Sequence, residues 1–175
     1  MSAVINEIFD LFARFGSEGY GEDISLERHM LQSAARAQAL GAPRPVVAAA
    51  LLHDIGYFLQ SGGEGVGEEH EALGALWLSR AFPESVTAPI ALHVQAKRYL
   101  CAVEPAYYGQ LSDASRLSLA RQGGVMNDSE VAAFAGHPAF DAALVLRRCD
   151  DGGKETTVQT QSLDQFRGLL SETLR

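Results

Sequence analysis

The sequence predicts an all-α fold, and three observations carry that prediction. Apolar residues recur at the spacing of an amphipathic helix along almost the whole chain, and no convincing run alternates apolar and polar residues as a strand does. Hydrophobic residues make up 47% of the 175 residues, which is enough to form one core. Four of the five histidines fall on separate predicted helices, and a helical bundle can aim such side chains at one point.

The helices are predicted from Ala- and Leu-rich segments that are separated by glycine and proline. In chain order they span residues 3–15, 25–40, 45–54, 69–81, 84–101, 105–121, 128–135, 138–150 and 162–174. GAPRP at 41–45 and SGGEGVGEE at 61–69 break the helical pattern. The glycine run has neither the spacing of a dinucleotide fingerprint nor the lysine of a phosphate loop. We interpret it as a plain loop, with a lid as the alternative.

Composition argues against several classes of protein. The net charge of −8 argues against a nucleic-acid surface spread over the molecule. No stretch approaches the roughly 20 apolar residues of a membrane span, and the N-terminal segment lacks the basic start of a signal peptide. Cys101 and Cys149 have no zinc-like pairing and are expected to be free thiols. We expect a cytoplasmic protein with no nucleic-acid or membrane partner, and the sequence leaves its oligomeric state open.

Histidines dominate the candidate site. The four on separate predicted helices are His29, His53, His70 and His93. Any one of them alone could be an ordinary surface or core residue. Together with Asp54 and the segment RRCDD at 147–151, they supply the nitrogen and oxygen ligands of a metal site. We interpret the fifth histidine, His137, as a capping or surface residue.

The adjacent pair His53 and Asp54 ends an apolar run, AALLHDIGYF at 49–58. Neighbouring residues of a helix lie about 100° apart and do not share a face. Both side chains can therefore reach one centre only if the helix ends there, and Gly56 permits such an ending. At a helix end, Asp54 could offer one oxygen to each of two metals about 3.5 to 4 Å apart, while His53 binds one of them.

This pattern resembles the HD-domain superfamily of metal-dependent enzymes, whose ligands follow the order H…HD…D on an all-helical core. The matching positions are His29, His53, Asp54, His70, His93 and, at the end, Asp150 or Asp151. The two histidines between the HD pair and the last Asp match the subset that binds two metals. The resemblance implies a single HD-domain helical bundle over residues 1–175. Its metal-binding core would span about 25–151, with a substrate loop at about 16–24.

Within that superfamily, the chain is similar to mixed-valent diiron oxygenases that cleave the carbon–phosphorus bond of 1-hydroxy-2-aminoethylphosphonates. HVQAKRYLC, YYGQLSDASRLSL and RQGG between residues 93 and 124 carry the similarity, with YGE…ERHM at 20–30 and the late LRRCDD. The resemblance implies an Fe(II)/Fe(III) pair with O2 as co-substrate. One iron would be held by His29, His53, Asp54 and Asp150, and the other by Asp54, His70 and His93. The products would be phosphate and glycine, or glycine betaine from the N-trimethyl analogue.

The same segments supply donors for a phosphonate. The candidates are Lys97, Ser115, Ser118, Gln122 and Arg147. Lys97 follows His93 by one helical turn, and Arg147 precedes Asp150 by three residues. Lysine and arginine bind phosphonate oxygens through charge-assisted hydrogen bonds. Because the family pattern has the last ligand three residues after the phosphonate-binding Arg, Asp150 is favoured over Asp151.

Two positions depart from the oxygenase pattern. In that branch a loop Tyr binds the second iron, and a Glu three residues later recognises the substrate amino group. Glu22 keeps the recognition position, but the Tyr position holds Gly19, and Tyr20 one residue further on could serve instead. Tyr57 stands where the aminophosphonate enzyme has a His, and its ring could attract a quaternary ammonium. A trimethylammonio substrate is therefore at least as plausible as a primary amine.

Two other classes of function remain open on sequence. The first is an HD-type phosphohydrolase that acts on a nucleotide or phosphate monoester, for which the same six ligands would serve and no O2 would be needed. The second is a module that binds a metal or ligand without turnover. One scaffold hosts several chemistries, so the fold alone does not choose among them.

Overall fold

The computed structural model describes residues 2–19, 22–63 and 69–175. Its helices are α1 (Ala3–Phe15), α2 (Leu26–Ala39), α3 (Arg44–Leu52), α4 (Ile55–Ser61), α5 (His70–Leu78), α6 (Glu84–Val103), α7 (Tyr107–Gln110), α8 (Asp113–Arg121), α9 (Asp128–Ala135), α10 (Phe140–Gly152) and α11 (Arg167–Glu172), with a 3-10 turn at Leu163–Phe166. Across these described ranges the only β-structure is one isolated bridge between Gly19 and Ser25. The predicted all-α fold is confirmed.

Helix α3 is the centre of the bundle. Every residue from Val46 to Leu52 is buried, and α2, α6 and α10 all pack against it. Helix α10 also packs against α6 and α2, while α5 packs against both α4 and α6. Three of the helices that carry candidate ligands, α2, α6 and α10, therefore pack around one apolar helix, and the fourth, α5, packs against α6.

Three segments differ from the predicted helices by more than a shift of their ends, and one of them, predicted as a single helix at 162–174, is a 3-10 turn followed by α11. The segment 105–121 is not one helix, because Leu111 is extended and Ser112 starts a new helix. The Ser112 hydroxyl accepts a hydrogen bond from the Ser115 N–H at 3.1 Å, which satisfies a donor at the start of α8. The segment 55–61 was not predicted as a helix and forms α4. Much of the predicted loop at 61–69 lies outside the described residues.

None of the helices in the described residues combines the length and the hydropathy that crossing a bilayer requires. Cys101 and Cys149 are both free thiols.

Candidate metal centre and substrate cavity

The His53–Asp54 pair lies in the short junction between α3 and α4. Helix α3 ends at Leu52 and α4 begins at Ile55. The two adjacent side chains are therefore not held about 100° apart, as they would be in a continuous helix. The helix ends at the pair, as the sequence analysis predicted. Gly56 has a different role from the one predicted, because it belongs to α4 and faces the backbone of α5.

All four histidines turn their Nε2 atoms towards one another in two pairs, and in three of them a backbone carbonyl engages the Nδ1 atom. The Nδ1 atoms of His29, His53 and His93 lie 2.9, 2.9 and 2.7 Å from the carbonyl oxygens of Gly153, Ala50 and Ile90. A carbonyl only accepts, so these Nδ1 atoms donate and the Nε2 atoms are left for the centre. The Nδ1 atom of the fourth ring, His70, lies 3.1 Å from the Glu71 carboxylate, but the two do not form a hydrogen bond, because Glu71 Oε2 has no hydrogen-bond partner among the described residues.

Asp54 lies between two pairs of histidines. Its Oδ2 atom is 3.5 Å from Nε2 of His29 and 3.3 Å from Nε2 of His53. Its Oδ1 atom is 3.2 Å from Nε2 of His70 and 3.7 Å from Nε2 of His93. One carboxylate thus offers a different oxygen to each pair, which is the arrangement of a ligand that bridges two metals.

Asp150 completes the first group. Its Oδ1 atom lies 3.3 Å from Nε2 of His29 and 3.9 Å from Nε2 of His53. Its other oxygen is 2.8 Å from Nη1 of Arg147. Asp151 does not face the histidines and instead accepts hydrogen bonds from Arg147 and Tyr107. The geometry therefore favours Asp150 over Asp151 as the terminal carboxylate.

This donor set fits a pair of divalent or trivalent metal ions. Three groups of buried ligand atoms come within 4.8 Å of one another: His29 with His53 and Asp54, Asp54 with His70 and His93, and His53 with His93 and Asp150. Imidazole nitrogen and carboxylate oxygen together suit iron as well as other first-row metals. Nε2 atoms as close as 3.1 Å, between His29 and His53, need a cation or a proton between them.

The electrostatics of the cluster favour positive charge at its centre. Burial lowers the pKa of His53, but the Asp54 carboxylate and then Asp150 outweigh it and raise this pKa to about 9. Burial raises the pKa of Asp54, and His53 and His70 outweigh it, so that this pKa lies well below its ordinary value. Burial together with His53 and His70 lowers the pKa of His93 to about 3. A metal would replace the proton that His53 holds, so metal binding is linked to pH.

Gly56 allows α4 and α5 to approach closely enough to hold His70. A β-carbon at Gly56 would lie 2.0 Å from the His70 carbonyl oxygen, which belongs to backbone and cannot turn away. We expect Gly56→Ala to lower the free energy of unfolding by about 1–3 kcal/mol or more and to weaken metal binding. Urea unfolding with and without metal measures both effects.

The matched control is Gly168→Ala, in α11. A β-carbon there would meet nothing within 4 Å, so alanine should be neutral or stabilise the helix by about 0.5–1 kcal/mol. Equal stability of the two variants would contradict the close-contact argument.

A cavity opens on one side of the cluster. The predicted site residues that line it are Glu22, Asp54, Tyr57, His70, His93, Lys97, Ser115, Ser118, Gln122, Arg147 and Asp150. His29 and His53 are fully buried and do not line it. A molecule in the cavity would therefore meet the His70 and His93 side of Asp54.

The cationic and polar residues predicted for a phosphonate lie together in this cavity. Lys97 Nζ donates to Ser118 Oγ at 2.7 Å, and both side chains are on the cavity wall. Burial and the Arg147 cation lower the pKa of Lys97 to about 8. The amide oxygen of Gln122 is buried without a hydrogen-bond partner among the described residues, so a ligand donor would satisfy it.

The remaining predicted residues, two from the substrate loop and two from elsewhere in the chain, have different outcomes. Tyr20 lies outside the described residues, so its predicted role stays a prediction. Tyr57 stacks on His70 with ring centroids 4.2 Å apart, which leaves only its opposite face for a substrate cation. Glu22 lines the cavity, but its carboxylate already pairs with Lys154 at 2.7 Å. His137 is not part of the cluster, and its Nδ1 accepts from the Ala139 N–H at 3.0 Å.

Several residues of the site were missed by sequence reasoning. Gly153 accepts a hydrogen bond from the ring of His29, Glu71 lies beside the ring of His70, and Tyr107 contacts Arg147 with its hydroxyl at 3.1 Å. Lys154 was missed although a signal existed, because the chain has only two lysines and both line the cavity. Gly153 and Tyr107 carry no local signal, since their partners are 124 and 40 residues away. Glu71 directly follows His70 in the sequence.

Comparisons with known proteins agree with this geometry. No family model matches the chain. The chain is 39% identical over 168 residues to the hydroxymethylphosphonate dioxygenase of Gimesia maris, an alignment that covers 93% of this chain and 84% of that protein. It is 39% identical over 173 residues to the [1-hydroxy-2-(trimethylamino)ethyl]phosphonate dioxygenase (glycine-betaine-forming) of Leisingera caerulea, with 95% and 88% covered. An uncharacterized protein of Acanthamoeba polyphaga mimivirus is 33% identical over 178 residues, with 97% and 81% covered.

Proposed function

This chain belongs to the phosphonate dioxygenases of the HD-domain diiron family, and from that membership we propose that it cleaves the carbon–phosphorus bond of a 1-hydroxyphosphonate with O2. The products are phosphate and the carboxylic acid formed from C1. One observation carries the proposal: Asp54 offers its two oxygens to two histidine pairs, beside a cavity lined with cationic side chains.

The proposed metal ligands are those of the two groups around Asp54. His29, His53, Asp54 and Asp150 would hold one iron, and Asp54, His70 and His93 the other. When bound, a mixed-valent Fe(II)/Fe(III) pair supplies the redox chemistry by which O2 oxidises C1. The protein's own task is to bind the substrate, orient C1 towards the His70 and His93 side, and exclude other reactions.

The phosphonate is proposed to lie against Lys97 and Arg147, with hydrogen bonds from Ser115, Ser118 and Gln122. Charge-assisted bonds to a phosphonate are strong in a partly buried cavity. The Lys97 side chain lies one turn from His93 on α6, so the anion it binds is held near the metal ligands. The C1 hydroxyl would then be directed to the open side of the cluster.

The substituent on C1 divides the candidate substrates. The two named relatives act on hydroxymethylphosphonate and on the trimethylamino compound, and this chain is equally similar to both. A 2-amino or 2-trimethylamino substrate would bring its cation to Glu22 and Tyr57 and would yield glycine or glycine betaine. Hydroxymethylphosphonate carries no cation and would yield formate.

The proposal is tested by reconstituting the protein with Fe(II) under nitrogen, oxidising it briefly, and recording electron paramagnetic resonance with and without each 1-hydroxyphosphonate. We expect a mixed-valent signal that changes with substrate, and phosphate release that requires O2. Phosphate release from nucleotides or phosphate monoesters under nitrogen, with no response to 1-hydroxyphosphonates, would instead support a phosphohydrolase.

The pKa of Lys97 predicts a pH dependence of substrate binding. Because this pKa is lowered to about 8, Lys97 is cationic below that pH and becomes neutral as the pH rises through it. We expect kcat/KM for the phosphonate to fall above about pH 8, since kcat/KM reports groups of the free enzyme. Initial rates of phosphate release between pH 6.5 and 9.5, a range of about 1.5 units around that pKa, measure this.

Two variants of Lys97 distinguish the titration of this residue from the titration of other groups. Lys97→Arg keeps its charge at every accessible pH, so its kcat/KM should not fall above about pH 8. Lys97→Met should have a low kcat/KM at all pH values, with no further fall above about pH 8. If kcat/KM falls above about pH 8 in Lys97→Met as it does in the wild type, another group causes the fall.

A further inference from the structure

Lys154 brings an ammonium group into the cavity from the protein itself. Its Nζ atom donates to Glu22 Oε1 at 2.7 Å, to Ser115 Oγ at 2.9 Å and to Ser112 Oγ at 3.3 Å. An ammonium has three donors, so these contacts use all of them. The Lys154 side chain is only 15% exposed, and it lines the cavity beside the residues proposed to bind the phosphonate.

The backbone on both sides of Lys154 is fixed to α2. The Gly153 carbonyl lies 2.9 Å from Nδ1 of His29. The Gln32 amide donates to the Glu155 carbonyl at 2.6 Å and accepts from the Glu155 N–H at 2.9 Å. Gln32 is itself buried. Lys154 therefore starts from a rigid segment and is not a surface lysine that happens to bend inwards.

The contact changes what Glu22 can do. Its Oε1 atom accepts from Lys154 and also from the Ser112 hydroxyl, at 2.6 Å. A carboxylate that is neutralised in this way attracts a second cation weakly. A substrate ammonium would also meet the like charge of Lys154, and like charges placed together in an interface are strongly unfavourable.

We propose that Lys154 is an internal counter-ion of Glu22 that makes the cavity selective for 1-hydroxyphosphonates without a cationic substituent, of which hydroxymethylphosphonate is the smallest. This inference rests on the proposed function and narrows its substrate. The reaction balances as HOCH2PO3²⁻ + O2 → HCOO⁻ + HPO4²⁻ + H⁺. The carbon–phosphorus bond breaks, C1 and the phosphorus each gain one oxygen atom from O2, and O2 is the only oxidant required.

The test measures binding without turnover. The iron-loaded protein is titrated under nitrogen with hydroxymethylphosphonate and with 1-hydroxy-2-(trimethylamino)ethylphosphonate, by calorimetry. We expect the wild type to bind hydroxymethylphosphonate about tenfold more tightly or better. Lys154→Gln keeps a hydrogen-bond donor but unmasks Glu22, so the affinity ratio should move towards the trimethylamino compound by about tenfold or more.

Three further variants make the test specific. Lys154→Arg keeps the cation and should keep the wild-type ratio. The double variant Glu22→Gln with Lys154→Gln should lose the gain for the trimethylamino compound, because that gain comes from the unmasked carboxylate. The control is Arg44→Gln, which removes one cation from an ion pair with Glu172 whose two side chains are each 60% exposed, and it should change neither affinity.

The outcomes separate this inference from the proposed function. A wild type that prefers the trimethylamino compound overturns the inference, and this measurement needs no variant to fold. Equal weakening of both ligands in Lys154→Gln would also overturn it, because Lys154 would then bind the phosphonate directly. If neither compound binds and neither yields phosphate with O2, the proposed function fails together with the inference. If both are cleaved and the ratio is unmoved, only the inference fails.

Discussion

Replacement of Asp54 by Asn is expected to reduce bound iron from two ions per chain to at most one and to abolish O2-dependent phosphate release. The carboxylate offers Oδ2 to His29 and His53 and Oδ1 to His70 and His93. The amide keeps the size of the side chain but loses its negative charge, and its nitrogen cannot serve as the second bridging atom. Loss of a residue that only orients a ligand weakens metal binding by about 10–100-fold, and loss of the bridge should exceed that.

Metal analysis of the reconstituted protein measures the stoichiometry, and the mixed-valent resonance signal reports whether the two ions are coupled. The control is Asp113→Asn, because the Asp113 side chain is 98% exposed and pairs with Arg116 on the same helix. Circular dichroism checks that both variants keep their helices. Two iron ions per chain and an unchanged signal in Asp54→Asn would remove Asp54 from the bridge.

Replacement of Arg147 by Met is expected to cause the largest loss of stability. The guanidinium is buried and donates to Tyr107 at 3.1 Å, pairs with Asp150 at 2.8 Å, and also contacts Asp151. Removing one partner from a buried ion pair leaves uncompensated charge and typically costs about 3–5 kcal/mol. We expect a loss of this size at pH 7 in metal-free protein, measured by urea unfolding, and a large fall in phosphonate affinity in the loaded enzyme.

The matched control is the next residue, Arg148→Met. Arg148 pairs with Glu104 on the surface, where both side chains are more than 40% exposed, and exposed pairs contribute about 0–1 kcal/mol. Similar losses of stability in the two variants would show that the loss in Arg147→Met does not come from its buried ion pairs.

The pH dependence of this loss follows from Asp150. Burial raises the pKa of Asp150, but Arg147 and then His29 outweigh it, so this pKa is well below its ordinary value. A carboxylate with a depressed pKa stabilises the fold above its ordinary pKa and loses that contribution as the pH falls. The difference between the wild type and Arg147→Met should therefore shrink in acid. A difference independent of pH would exclude Asp150 as the partner that matters.

The helices and the types of ligand could be predicted from the sequence because both depend on local pattern. Apolar spacing predicts a helix wherever one face is buried, and the boundaries of α1 and α9 agree with the prediction. The ending of α3 at the HD pair could also be predicted, because adjacent residues share a centre only at a helix end. The single-domain organisation over residues 1–175, the metal-binding and substrate-binding roles of the site residues, including Tyr20, and the valence of the iron stay predictions.

Other features depended on contacts that no local pattern records. The Ser112 hydroxyl, which caps α8 where one helix was predicted at 105–121, also donates to Glu22, 90 residues away. The tautomer of His29 depends on the Gly153 carbonyl, 124 residues away.

The sequence by itself predicted the all-α class, the histidine and aspartate side chains of the candidate metal centre and the cationic side chains beside it, since each of these predictions depends on spacing along a helix. The tertiary structure decided which face of the cluster is open and which partner Glu22 has. Glu22 and Lys154 are 132 residues apart and form a pair only once α2 fixes the backbone around Lys154. A charge can be counted in a sequence, but whether it is already neutralised depends on what lies within a few ångströms of it after folding.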